Sequence, residues 1–220
     1  MNNHFDYKKI NKSYVLTKNA KVIKFSKLEI FKFSSKKSAD SIVERLNNVK
    51  NELINNQMIQ NICFSENLNK NKTPIIDEII KYLHFDEILY RSGDEKIDRL
   101  LNRKYGKYIH DFENYFNIKL QVSSKLIFHQ NKLSITKFKQ FLQSLNNDKL
   151  TVYFKITKND SSPILSFFFV QRIIDDKMLF KLANLEIIYN LRKRRISDDL
   201  EKIIQEKKKN LRNISIFFNL

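Results

Sequence analysis

Ser162-Pro163-Ile164-Leu165-Ser166-Phe167-Phe168-Phe169-Val170-Gln171-Arg172-Ile173-Ile174 is the stretch on which the fold turns. Serine accepts readily from the free N–H groups of a helix start, and proline suits the first helical position because its missing N–H has no partner there. The residues that follow are apolar nearly all round. A helix with no polar face has to be surrounded by other elements, so this segment predicts a central, buried helix.

Its neighbours carry helical signals too. About Asp148 to Lys158 forms a short helix on the amino-terminal side. On the other side Asp175 or Asp176 starts a helix with Met178, Leu179, Leu182, Leu185 and Tyr189 inward. Before these, Ile135, Phe138, Phe141, Leu142 and Leu145 make one apolar face, and everything from Leu133 onward reads as helix. The last helix begins near Ser197, with Leu200, Ile203, Ile204 and Leu211 as its stripe, and "ISIFFNL" closes the chain. The strongest helical pattern lies further back. Ile97, Leu100, Leu101, Tyr105, Tyr108, Ile109, Phe112, Tyr115 and Phe116 recur on one face behind a helix-entry turn, Ser92 to Glu95. Gly106 interrupts this pattern at a cost of about 1 kcal/mol relative to alanine.

The amino-terminal part reads differently. Ser13 to Thr17, Lys21 to Phe25 and Leu28 to Phe33 alternate or are β-branched and predict strands, with Lys18-Asn19-Ala20 as a turn. Ala39, Ile42, Val43, Leu46, Val49, Leu53 and Ile54 then follow helical spacing, capped by Ser34 or Ser35. Residues 63 to 74 read as a polar loop ending in Pro74, which opens a helix from Ile75 to Leu83. Asp86 to Arg91 and Ile118 to Phe128 have strand character. The expected class is α+β: a mixed α/β region over residues 1–130, with its boundary somewhere in 80–130, and an all-α helical region over 131–220.

Two glycines and two prolines in 220 residues favour long helices and leave no glycine-rich cradle for a phosphate. One cysteine, Cys63, excludes an internal disulfide and a cysteine zinc site, and suits a reducing compartment. No apolar run is long enough to span a membrane, and the first residues lack a signal-peptide core, so a bacterial cytoplasmic protein is expected. The four histidines, His4, His84, His110 and His129, form no i, i+4 pair. The adjacent acids Asp86-Glu87, Asp94-Glu95, Asp175-Asp176 and Asp198-Asp199 mostly stand where a helix starts, so capping explains them better than paired catalytic carboxylates. No serine, cysteine or lysine has an identifiable activating partner. The residues therefore point to no enzyme and no cofactor.

The net charge of +17 admits attraction to nucleic acid, an anionic membrane or an acidic protein. It also matches the heavy Lys, Asn and Ile usage of an AT-biased genome, and the basic residues are spread along the chain. The longest basic run is Arg192 to Arg195, followed by Lys207 to Lys209. Taken alone, that run is either a phosphate-binding arm of an RNA- or DNA-binding protein or a basic break between two helices, with Ser197, Asp198 and Asp199 starting the second.

Several segments together resemble one family, the chaperones that assemble the soluble catalytic sector of F-type ATP synthase by binding its alpha subunit. "LNKNKTPIIDEI" is similar to the family's Leu-Thr-Arg-Leu-Ala-Asn-Thr-Ala-Ile-Asp segment at Leu68, Ile76 and Asp77, with Lys70 in place of its arginine. "FDEILYRS" matches at Asp86, Tyr90 and Arg91. "FNIKLQVSSKLIF" resembles another segment at Phe116, Leu120, Val122 and Ser123. "SSPILSFFFVQRIID" resembles the small-residue entry to an apolar helix, and "MLFKLANLE" has Phe180 where the family has Trp. In "LEIIYNLRKRRISDD", Glu186, Tyr189, Asn190, Leu191, Asp198 and Asp199 match an acidic, Trp-containing signature. Arg192, Arg194, Arg195 and Ile196 depart from it, replacing Glu, Trp, Gly and Glu.

The resemblance covers nearly the full length. It implies a two-layer α/β amino-terminal domain followed by a helical carboxy-terminal domain. It also implies a non-enzymatic, monomeric chaperone whose client is the ATP synthase alpha subunit, with no nucleotide or metal required. The location would be the cytoplasm in a bacterium and the mitochondrial matrix in a eukaryote. Glu186, Tyr189, Asn190, Asp198 and Asp199 are the expected partner contacts. Tyr90 and Arg91 are either contacts or a packed strand end.

Overall fold

The computed structural model describes residues 4–24, 30–125, 130, 133–191 and 198–220. They form two compact units, residues 1–71 with 216–220, and residues 72–215. The chain is α+β, with a small antiparallel sheet at the amino terminus and helices thereafter. Packing groups residues 72–130 with the helices that follow them, whereas the sequence patterning alone puts the end of the mixed α/β region near 130.

In the first unit, strand β1 (Phe5–Ile10) pairs antiparallel with β2 (Ser13–Lys18), from Phe5 opposite Lys18 to Ile10 opposite Ser13. Strands β3 (Lys21–Val22) and β4 (Lys32–Phe33) both pair with β2. Helix α1 (Lys36–Asn48) buries Ala39, Ile42 and Leu46, and packs on β1 and β2. The Asn47 side-chain amide binds the backbone of Phe5 twice, accepting from its N–H and donating to its C=O, each at 2.9 Å. That geometry imitates one more strand neighbour and ties the helix to the sheet. Helix α2 (Asn56–Asn67) packs on α1 and buries Met58, Ile59, Ile62 and Cys63.

The sequence expectations for this unit need four corrections. Strand β1 was not anticipated, because past Phe5 and Tyr7 its side chains are exposed and offer no alternation to read. The loop expected from residue 63 is helical as far as Asn67, since burial of Asn61 and Ser65 within α2 overrides their polarity. The long strands expected over 21–25 and 28–33 are two-residue pairings plus a Lys24–Ile30 bridge, and residues 25–29 lie outside those described. Helix α1 ends at Asn48, and Leu53 closes a separate 3-10 turn, Asn51–Leu53.

The second unit is built around helix α7 (Pro163–Val170), every residue of which is buried. It packs against α3 (Thr73–Leu83), α4 (Glu95–Phe116), α6 (Asn147–Asp160) and α8 (Asp176–Ala183). The α6–α7 pair is held together by small polar groups. The Ser166 hydroxyl donates to Ser162 O at 2.8 Å, Thr157 Oγ1 lies 3.0 Å from Ser166 Oγ, and the Tyr153 hydroxyl donates to Pro163 O at 2.6 Å. Beside them Phe112, Phe116, Phe138 and Phe167 stack edge-on or tilted at centroid distances of 4.7 to 5.5 Å, joined by Phe141 from α5 (Thr136–Ser144). Aromatic pairs at this spacing stabilise beyond their burial alone. Of the expected inward positions Tyr115, Met178 and Ile203 are exposed, and the helix expected to run through Ile174 stops at Val170, where Arg172 turns the chain with φ of 58° and leaves Ile173 exposed. Helices α9 (Leu185–Leu191) and α10 (Asp198–Phe218) complete the chain, and "ISIFF" continues α10 rather than forming a separate closing segment. Among the described residues, no helix is long and apolar enough to cross a membrane.

The capping reading of the acids holds at three sites. The Asp94 carboxylate accepts from Lys96 and Ile97 N–H, Asp175 from Met178, and Asp86 from Ile88. Ser35 and Ser162 cap α1 and α7 as expected.

Two positions carry a backbone cost that a substitution removes. Asn19 and Ala20 form the β2–β3 turn with φ of 49° and 64°. Asparagine tolerates that region, but for alanine it costs roughly 1–2 kcal/mol. Ala20→Gly should therefore stabilise the protein by about 0.5–1 kcal/mol. A Cβ added at Gly106 in the middle of α4 meets nothing within 4 Å. Gly106→Ala should add about 1 kcal/mol. Urea unfolding midpoints check both, and a fall in either midpoint would count against the assigned turn or helix.

Candidate functional site

Asp86 is the anchor of the site. It is 2% exposed, and its two oxygens reach opposite elements. Oδ1 accepts from Ile88 N–H at 3.1 Å, and Oδ2 accepts from Ile164 N–H at 2.9 Å, in the first turn of α7. The Ser162 hydroxyl donates to it as well, and Glu87 N–H donates to Ser161 O at 3.1 Å. A carboxylate at a helix amino terminus meets free N–H groups and the positive end of the helix dipole. These bonds hold the segment after α3 in a 3-10 turn, Glu87–Leu89, and not in the strand expected there. One fragment of strand geometry survives: Arg91 N–H donates to Ser123 O at 2.9 Å, and Ser123 N–H donates to Leu89 O at 3.0 Å. The strand expected over 118–128 is reduced to that bridge, and residues 126–129 lie outside those described.

Arg91 is 6% exposed, and its donors turn inward. Nε donates to Asn102 Oδ1 at 2.7 Å, and one terminal nitrogen donates to the carbonyls of Ile88 at 2.9 Å and Tyr90 at 2.7 Å. Its guanidinium lies 5.9 Å from the centroid of the Tyr105 ring. Arg91 thus braces the turn from behind, while Tyr90 on the same turn is 40% exposed.

In front of that turn lies a cleft of about 270 Å³. Tyr90 lines it together with Glu186 and Asn190 of α9, about a hundred residues later in the chain. Leu101 and Tyr105 of α4, Asp160 at the end of α6, and Asn184 and Ile187 supply more of the wall, with Lys207 of α10. A second recess, of about 380 Å³, shares Glu87, Tyr90 and Glu186 and is lined by Phe85, Ser123 and Gln130 among others. Phe85 is 56% exposed there. Tyr189 is half-buried and does not line either hollow. Asp199 is exposed and lies 3.8 Å from Lys202 on the same helix. Asp198 opens α10, and its side chain lies outside those described, as does the whole run Arg192 to Arg195.

Asp160 and Asn184 were not singled out from the sequence. Asp160 is 3% exposed and Asn184 is 1% exposed. Asp160 Oδ2 and Asn184 Oδ1 have no hydrogen-bond partner among the described residues. No spacing announces them, because an aspartate at a helix end and an asparagine between helices both look like ordinary capping residues.

Three carboxyls here hold their protons more tightly than usual. Burial pushes Asp86 up to about 7, outweighing the opposing bonds from Ile164, Ser162 and Ile88. Burial pushes Asp160 up to about 6, against the attraction of Lys207. Glu186 is raised by burial and by the charges of Asp98 and Asp94.

No family model matches this chain, and no curated protein matches it. Solved structures do. Atp12 from Paracoccus denitrificans superposes with a TM-score of 0.66 at 14% identity, covering 98% of this chain and 94% of that one. An aspartate-to-lysine variant of the same protein gives the same values. The Agrobacterium tumefaciens protein Atu1473, provisionally assigned as a chaperone, has a TM-score of 0.65 at 13% identity, covering 96% of this chain and 84% of that one.

The raised carboxyls have a consequence for stability. An unfolded aspartate titrates near about 3.9. The folded state therefore keeps protons on Asp86 and Asp160 that the unfolded chain has already lost. Their contribution is present in full below about pH 4 and is lost as pH rises through about 6 for Asp160 and about 7 for Asp86. Stability should fall between pH 5 and pH 7 by up to about 1.4 kcal/mol per pH unit for each group still protonated. Urea unfolding across that range, with Asp86→Asn and Asp160→Asn each reducing the slope, is the check. A flat profile in the unaltered protein would contradict it. The chain has the fold of the Atp12 structures along nearly its whole length.

Proposed function

We propose that this chain is an assembly chaperone of the F-type ATP synthase that binds the unassembled alpha subunit. The observation that carries the reading is the shared fold with Atp12 over 98% of the chain. The ordered motif matches, from Leu68 through Asp199, support the same family. An alpha subunit before assembly exposes the apolar surface later buried against beta subunits. Such a surface invites aggregation, and covering it suffices to keep the subunit competent. Release follows when beta competes for the same face. The cycle needs no cofactor, and the chaperone acts as a monomer in the bacterial cytoplasm or, in a eukaryote, the mitochondrial matrix.

Within this reading Tyr90, Glu186 and Asn190 form one contact region around the cleft. Tyr189, Asp198 and Asp199 extend it along the end of α9 and the start of α10. Arg91 contributes by holding Tyr90 in place.

The test is co-purification of the folded chain with the alpha subunit of its own organism, together with light scattering of that subunit during refolding. A stable complex and suppressed scattering are expected, and Tyr90→Ala should weaken the complex about tenfold or more, as loss of a partly buried aromatic contact does. Absence of both the complex and the suppression would reject the reading. Its competitor, suggested by the net charge of +17, is an RNA- or DNA-binding protein. That reading would gain if nucleic acid bound tightly with steep salt dependence, and if binding were lost on neutralising Arg192 to Arg195.

A further inference from the structure

Strand β1 is an edge of the sheet, with β2 as its one strand neighbour among the described residues. In an antiparallel pair, opposed residues alternate between those that exchange bonds across the ladder and those that turn their N–H and C=O away. Asn19 N–H donates to His4 O at 2.9 Å, so in this register His4, Asp6, Lys8 and Ile10 address the β2 hairpin arm. Phe5, Tyr7 and Lys9 therefore turn their backbone groups outward.

The three outward residues are served unequally. The Asn47 amide of α1 takes both groups of Phe5, at 2.9 Å each, as a neighbouring strand would. The Asp6 carboxylate accepts from Tyr7 N–H at 2.7 Å. Tyr7 C=O and both groups of Lys9 have no partner among the described residues. Lys9 is exposed, and so is the Ile10 side chain, at 40%. The edge is closed at one end by a side chain in strand-like geometry and open at the other. No proline stands in β1 and its register with β2 is unbroken, so neither device that commonly blocks strand addition is present.

Charge decides what can add. Lys8, Lys9 and Lys12 are exposed and form no ion pair among the described residues. The acids nearest in the fold, Asp6 and Asp40, are engaged with Tyr7 at the closed end, Asp40 by accepting from its hydroxyl at 2.7 Å. Lysines on an edge guard it against strands of the same kind, and a second copy would set lysine against lysine. The same lysines favour a strand that carries acids.

We propose that the outer edge of β1 at Tyr7 and Lys9 is a docking site for an extended acidic segment of a partner protein, which continues the sheet beyond β1 and sets its carboxylates against Lys8 and Lys9. This site is independent of the chaperone reading, and its test uses no alpha subunit.

The isotope-labelled full chain is titrated with the peptide acetyl-Glu-Val-Glu-Val-Glu-amide and followed by NMR at the backbone amides of β1. Saturable shifts and slowed hydrogen exchange at the Lys9 amide are expected. The peptide with lysine in place of glutamate should bind about fivefold or more weakly. The fully N-methylated peptide, which keeps the charge and cannot donate, should give no saturable shift. Lys9→Gln keeps the N–H and loses the charge, and should weaken binding about twofold to fivefold. Lys9→Pro removes an N–H that the sheet does not use, a change edge strands tolerate, and should abolish the shifts at Lys8 and Ile10. The proposal is overturned if the Lys9 amide shows no saturable shift, if the N-methylated peptide binds equally, or if Lys9→Gln binds the acidic peptide no more weakly than the unaltered chain. A Lys9 shift that grows with the concentration of the chain alone would place a second copy on the edge and overturn the acidic occupant.

Discussion

The bond between the Asp86 carboxylate and Ile164 N–H spans 78 residues, and the geometry of the second unit depends on it. Helix α7 is buried on all sides, so its first N–H groups cannot turn to water. Ser162 satisfies one at Leu165. Asp86 satisfies another and, through its second oxygen, fixes the 3-10 turn that follows α3. The polar needs of the core helix thus position a surface segment. Glu87 and Tyr90 face the cleft because Asp86 faces the helix, and Arg91 closes the arrangement by donating to the carbonyls that the turn leaves free.

Asp86 and Asp160 are both buried aspartates of this unit, and the fold serves them unequally. Asp86 has partners on both oxygens, and its role ends inside the fold. Asp160 has Asn159 on one oxygen and no hydrogen-bond partner on the other. Two buried carboxyls of the same type therefore differ in consequence. The fully bonded one specifies the fold, and the other is a polar cost that the fold carries. Their raised protonation follows from burial in both cases and does not distinguish them; the hydrogen-bond geometry does.

Periodicity and end signals made the helical part of the fold legible. The α4 stripe spans enough turns for helical spacing to be unambiguous, α7 is announced by its serine and proline start, and Ser35, Asp94, Ser162 and Asp175 cap where they were expected. The segments that misled are short. "DEILYR" has β-forming residues, but its conformation is set by a carboxylate bonding a helix 78 residues away, which no local window contains. Strand β1 has too few buried side chains to alternate. The end of α2 looks like a loop because Asn61 and Ser65 are polar, yet both are buried. Tyr90, Glu186 and Asn190 could be named from motifs alone. Asp160 and Asn184 could not, since what sets them apart is the absence of a partner in three dimensions.

That difference bears on how charge should be read in this chain. Net charge and the run Arg192 to Arg195 are the most conspicuous features of the sequence, and both point to a polyanion. The cleft in front of the 86–91 turn is lined the other way, by Glu87, Asp160 and Glu186 with Lys207. Charge on exposed lysines is screened within about 10 Å at ordinary salt and confers little selectivity. The diffuse charge therefore acts on encounter rates and solubility, and selectivity has to come from the shape and polar groups of a surface that makes close contact.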